Sequence, residues 1–112
     1  MLNAGASTCV INNELGTILQ GASVFQTVQS VRDDLEANCL FLQNGETSVL
    51  LLSCDLVGLD NEWAARFRQA VSDAVGVPRD AVIIAGTHMH SGPSVIRTNY
   101  RKKLDVQYLE NV

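Results

Sequence analysis

No stretch of this chain approaches the roughly 20 consecutive apolar residues that carry a helix across a bilayer, so the sequence offers no transmembrane segment. An excess of positive charge is missing as well. Eight Lys and Arg stand against twelve Asp and Glu, for a net charge of −4. A phosphate backbone wants a basic face, so this balance argues against nucleic acid as a partner. Arg97, Arg101, Lys102 and Lys103 do cluster, and they read as a solvated basic loop. There is no Cys-x-x-Cys. Cys9, Cys39 and Cys54 lie in apolar surroundings and read as small buried hydrophobes, neither a disulfide framework nor a zinc knuckle. That suits a reducing compartment, and a cytoplasmic location is expected. Met1-Leu2-Asn3-Ala4 lacks a basic region followed by an apolar one, so no signal peptide is read there.

What is present suits one small domain over residues 1–112. The chain has 112 residues, 46% of them hydrophobic and 18% charged, which is ordinary for a folded protein. Its informative stretch is Thr87-His88-Met89-His90-Ser91-Gly92-Pro93, which holds both histidines. The run Ala81–Gly86 before it is apolar and β-branched and predicts a short buried strand; Ser, Gly and Pro after it stop a strand. Residues two apart in extended chain share a side, so His88 and His90 can converge on one point, as a metal needs. On spacing alone, a loop of satisfied or solvated histidines is the more common outcome. Position at a strand's carboxyl end strengthens the binding reading, because open α/β sheets bind ligands there.

Along the chain, Ala4–Ile11 predicts a first strand and Asn12–Gly16 a turn. Thr17–Gln29 predicts an irregular loop with a brief strand near Ile18-Leu19. Glu36–Leu42 and Thr47–Cys54 are the clearest strands. Asn44-Gly45 between them predicts a type I′ hairpin turn. Val49–Leu52 is continuously apolar, as in a strand covered on both faces. Asp60 suits an N-cap and Glu62 the first turn. Trp63, Phe67, Ala70, Val71, Ala74 and Val75 recur at helical spacing. Gly76 and Pro78 then end the helix. This stripe is expected to pack on Leu50, Leu52, Ile83 and part of Val49.

Strand, helix, strand predicts a β-α-β crossover with Thr47–Cys54 and Ala81–Gly86 parallel. Parallel strands end at one edge, so Asp55 and His88 should lie on the same side. Asp55 is a metal ligand, a partner for a histidine N–H or a turn residue, the last two ranking above direct ligation. Ser94–Lys103 is irregular. Asp105 caps a last helix with Val106, Leu109 and Val112 on one face and Tyr108 beside them. The sequence stops inside that helix, which predicts a fragment of a larger domain with apolar surface open to self-association. The expected fold class is α/β, a mixed sheet with an antiparallel hairpin followed by a β-α-β crossover.

Thr87–Pro93 resembles the Thr-His-Thr-His-Ser-Gly-Pro motif of the neutral/alkaline ceramidase family, with Met89 the departure. Ser53-Cys54-Asp55-Leu56 resembles that family's Ser-x-Asp-Leu segment. Val31–Ala37 resembles a Val-His-Asp-Pro-Leu-x-Ala stretch, with Arg32 in place of His. Leu19-Gln20-Gly21 resembles the segment whose glycine lies near the active site, here followed by Ala22 where an aromatic residue is usual. Asp105-x-x-Tyr108-Leu109 resembles the start of the helix after the histidine motif. Asn12-Asn13 stands in place of a Thr-Pro turn.

The resemblance runs over nearly the whole chain in the family's order and implies the N-terminal part of a zinc-dependent amidase that splits the N-acyl bond of ceramide. It implies His88 as a zinc ligand and His90 as a catalytic group beside the metal. Gly21, Asp55, Thr87 and Ser91 follow as residues touching substrate or orienting the ligand. The remaining ligands, a histidine, a glutamate and a tyrosine, are implied to lie in later parts of the family's chain. Two other readings stand beside it: a non-catalytic α/β binding or assembly module, and a different metallohydrolase using His-x-His.

Overall fold

The computed structural model describes residues 1–21, 26–98 and 103–112. Its centre is a four-stranded mixed sheet in the order β1-β3-β4-β5. The strands are β1 (Leu2–Val10), β3 (Glu36–Asn44), β4 (Thr47–Cys54) and β5 (Val82–Gly86). Two short strands, β2 (Leu19–Gln20) and β6 (Gly92–Pro93), pair separately and antiparallel. β1 pairs antiparallel with β3, and β3 with β4, while β4 and β5 run parallel. The expected hairpin followed by a β-α-β crossover is therefore the architecture of the chain. The first strand lies two residues upstream of its expected start and ends at Val10.

The hairpin turn differs from the expected type. Asn44 pairs with Thr47, so the loop is Gly45-Glu46. Only Gly45 takes a left-handed φ, 62°. Positive φ at the first loop residue alone is the type II′ pattern, which places the glycine where it costs least.

Helix α1 (Asn61–Val75) makes the crossover, and a 3-10 turn at Arg79–Ala81 leads into β5. Gly76 closes α1 in the left-handed conformation, its N–H donating to Ser72 O. Asp60 occupies the N-cap position, but its side chain makes no capping bond. Its carboxylate instead accepts from the backbone N–H and the guanidinium of Arg97, at 3.1 and 2.7 Å.

The register shows why the sheet has two unlike faces. Phe41, Leu50 and Val82 form one cross-strand row, and Cys39, Leu52 and Ile84 the next. These rows face α1 through Trp63, Phe67 and Val71. The alternate residues Leu40, Leu51 and Ile83 form a row on the opposite face, and Ala6 extends it through its pairing with Leu40. Leu40, Leu51 and Ile83 are exposed, Ile83 by 53%. Two expectations are thereby corrected. β4 is covered on one face, not both, and Ile83 points away from the helix while Val82 and Ile84 point toward it. Pleating sends neighbours to opposite faces, and a run of apolar residues hides which parity is inward. Val75, expected in the stripe, is also exposed, at the last position of the helix.

A second core fills the carboxyl edge of the sheet. Ile11, Leu35, Leu56, Val95, Leu104, Tyr108 and Leu109 are buried together there. Helix α2 (Val106–Asn111) is capped by Asp105, whose carboxylate accepts from Tyr108 N. Tyr108 and Leu109 form its buried face. Val106 and Val112, expected on that face, are exposed. The Tyr108 hydroxyl reaches back 2.6 Å to Ile11 O and ties the end of the chain to the end of β1. Among the described residues, no helix is long and apolar enough to cross a membrane. Arg101, Lys102, Tyr100, Ala22 and the centre of the expected 17–29 loop lie outside the described residues.

Candidate functional site

Beyond Cys54 and Gly86, the parallel strands β4 and β5 continue as two loops that remain laced together. Thr87 N donates to Cys54 O (2.9 Å), and His88 N and Met89 N both donate to Leu56 O (3.0 and 3.3 Å). The approach depends on glycine. A β-carbon on Gly86 would stand 2.8 Å from Leu56 O and 3.1 Å from Gly58 Cα. Any side chain there would force the loops apart.

His88 does not continue the strand. Its φ is +66°, the one left-handed value outside glycine among the described residues. Such a conformation costs on the order of 1–3 kcal/mol and persists where its surroundings determine it. The two histidines still come together, but through this turn and not through strand alternation as expected. Their ring centroids lie 4.8 Å apart with the planes at 62°. The His88 ring has one fixed end. Nδ1 lies 2.9 Å from Val57 O. A carbonyl can only accept, so in the neutral ring this contact fits the tautomer with Nδ1 as donor and Nε2 as the bare nitrogen. A backbone carbonyl on the far nitrogen is the usual support of a metal-binding imidazole.

Asp55 lies at the same edge, as expected, but does not reach a histidine N–H. One carboxylate oxygen accepts from Glu36 N and the other from Thr87 Oγ1, both at 3.0 Å. Its own N–H donates to Glu36 O. Thus Asp55 clamps the start of β3 to the residue before His88, and Thr87 is the other half of that contact. Ser91 is exposed just past His90. Gly21 abuts His90 directly: a β-carbon on it would lie 2.5 Å from His90 Cγ. Both glycine and histidine flank the β2–β6 pair, which explains why residues so far apart in sequence touch.

Sequence reasoning missed Gln20. Its side chain is buried, accepts from Val95 N (2.7 Å) and Ile96 N (3.1 Å), and donates to Ile96 O (2.5 Å). It anchors the segment that follows the histidine motif. A lone glutamine in an irregular stretch carries no periodic signal that could have singled it out. Val57 O was equally invisible, since a backbone acceptor has no letter in the sequence.

The donor set fits a metal only in part. His88 presents a free ring nitrogen with His90 beside it. Among the described residues, however, no group of three or more His, Cys, Asp or Glu is arranged to hold a metal. Cys54 is buried nearby, and burial, then Cys9 and Asp55, push its thiol up to about 11.

The chain is a mixed α/β sheet with a histidine pair at the carboxyl edge of its parallel strands, and solved structures share its fold. The fold matches the crystal structure of neutral ceramidase from Pseudomonas aeruginosa with a TM-score of 0.74 at 19% identity, over 83% of this chain and 16% of that one. A structure described as ceramidase complexed with C2 matches with a TM-score of 0.71 at 18% identity, over 83% and 15%. The chain thus spans about a sixth of the length of the proteins whose fold it shares. No protein-family model matches the sequence. No curated protein sequence matches it either.

Proposed function

We propose that the chain is the metal-site-bearing N-terminal part of a ceramidase-like zinc amidohydrolase, acting on the N-acyl bond of ceramide or a related lipid amide. The observation that carries the proposal is His88, its Nδ1 held by Val57 O and its Nε2 left free beside His90. The fold shared with neutral ceramidase supports the substrate class. A bound zinc would supply a water of lowered pKa and polarise the amide carbonyl. His88 would hold that ion. His90, beside it, would contact the substrate, and Gly21 would leave the room that the His90 ring needs. A catalytic zinc takes three protein ligands and one open position, so the further ligands would come from later parts of a longer chain. The three free cysteines support a reducing, cytoplasmic setting as part of the same proposal.

The test uses the protein at its full natural length. Zinc content and release of fatty acid from ceramide are measured for the wild type and for His88→Ala. Loss of both in the variant is expected. Retention of both removes His88 from the site.

A second reading, a non-catalytic assembly module, draws on the open row Leu40, Leu51 and Ile83. It expects self-association of the 112-residue chain without metal, and Leu51→Lys to abolish it.

A further inference from the structure

The contacts holding the left-handed turn at His88 are nearly all made to backbone oxygens: Cys54 O, Leu56 O and Val57 O. Such acceptors are the same whatever the side chains. The exception is the pair Thr87 Oγ1 and Asp55 Oδ1, at 3.0 Å, with Asp55 Oδ2 fixed in turn by Glu36 N. This contact sits one residue before the strained φ and bridges β5's extension to the first residue of β3.

We propose that Thr87 and Asp55 form a latch that sets the orientation of the His88 ring, making both of them positioning residues for its free Nε2. The geometry explains the mechanism. With Oγ1 tied to a carboxylate that is itself anchored, rotation at residue 87 is restrained. Its carbonyl and the His88 N–H are then committed to the turn that brings Nδ1 to Val57 O. Without the latch, His88 can relax toward ordinary φ, and the ring leaves Val57. Nδ1–H then loses its acceptor, and the proton is shared between the two nitrogens. The latch serves metal binding only if His88 is a ligand, as proposed above; its effect on the ring needs no metal.

Thr87 is exposed, so exchanging its side chain leaves the core untouched. The experiment reads the two ring nitrogens of His88 by nitrogen-15 NMR of the metal-free 112-residue chain, at about pH 8.5, where imidazole is neutral. In the wild type, a protonated Nδ1 and a bare Nε2 are expected. Thr87→Val, of equal size without the hydroxyl, should give averaged shifts on both nitrogens, and Thr87→Ser should restore the wild-type pattern. Asp55→Ala, if folded by circular dichroism, should match Thr87→Val. A latch of merely structural effect would lower the melting temperature and leave the nitrogen shifts alone. A wild-type ring protonated on Nε2, or a folded Thr87→Val with the wild-type pattern, overturns the proposal. Failure of zinc binding or of ceramide cleavage in the longer protein would overturn the functional reading and leave this one standing.

Discussion

Gly21 and His90 stand so close that a β-carbon on the glycine would lie 2.5 Å from His90 Cγ and 2.8 Å from its Cα. Gly21 also has a φ of +85°, where a side chain is strained regardless of space. Gly21→Ala should therefore destabilise the chain by about 1–3 kcal/mol and move the His90 ring. Chemical denaturation gives the first quantity, and the His90 ring signals give the second. Unchanged ring signals would mean that the β2–β6 pair yields and the histidine does not.

Gln20 satisfies two backbone donors and one acceptor in a buried place. Leaving those groups unpaired costs roughly 1–3 kcal/mol each, so Gln20→Leu should destabilise by about 2–5 kcal/mol. Amide exchange at Val95 and Ile96 should accelerate more than at β3 and β4. A uniform loss of protection would show instead that this region is not an independent unit.

The two cores differ from the apolar pattern in a measurable way. Leu109 is 1% exposed and Val75 is 55% exposed. Leu109→Ala should cost about 2–5 kcal/mol by cavity formation, whereas Val75→Ala should stay within about 0.5 kcal/mol. Equal losses in urea unfolding would contradict the packing described for α2.

Stability should decline under alkaline conditions. Burial holds the Cys54 thiol at about 11 against an ordinary 9.0, with Cys9 and Asp55 adding to it. The folded state keeps this proton after the unfolded chain has lost it. The contribution is whole below pH 9.0 and is lost as pH rises toward 11. The Tyr108 hydroxyl, also raised, chiefly by burial, acts in the same direction at higher pH. Cys54→Ala should flatten the stability profile between about pH 9 and 11, by on the order of 2 kcal/mol. A profile parallel to the wild type would exclude Cys54 as the cause.

Zinc binding by the 112-residue chain alone should be weak, micromolar or poorer, about −8 kcal/mol or less in magnitude. It should fade on acidification because only neutral imidazole ligates. Calorimetry on the wild type and on His88→Ala tests this. Nanomolar binding that survives the substitution would point to a site elsewhere.

Local signals determined much of this protein. The Asn-Gly step announced the β3–β4 hairpin. The stripe from Trp63 to Val71, closed by Gly76, announced α1, and the strand-helix-strand order made β4 and β5 parallel. Those features rest on short-range chemistry, namely turn conformations, helical periodicity and chain handedness, which a sequence displays directly. The edge shared by Asp55 and His88 followed from topology alone. Tertiary structure decided the rest. It chose which parity of β4 and β5 faces α1, because an all-apolar run satisfies either register until something packs on it. It diverted Asp60 from its cap to Arg97, since a longer-range donor competed successfully for the same carboxylate. It turned His88 left-handed and set Nδ1 against Val57 O, and it brought Gly21 against His90. Each of these depends on a backbone oxygen or a close approach between distant segments, and neither is written in the identity of any single residue.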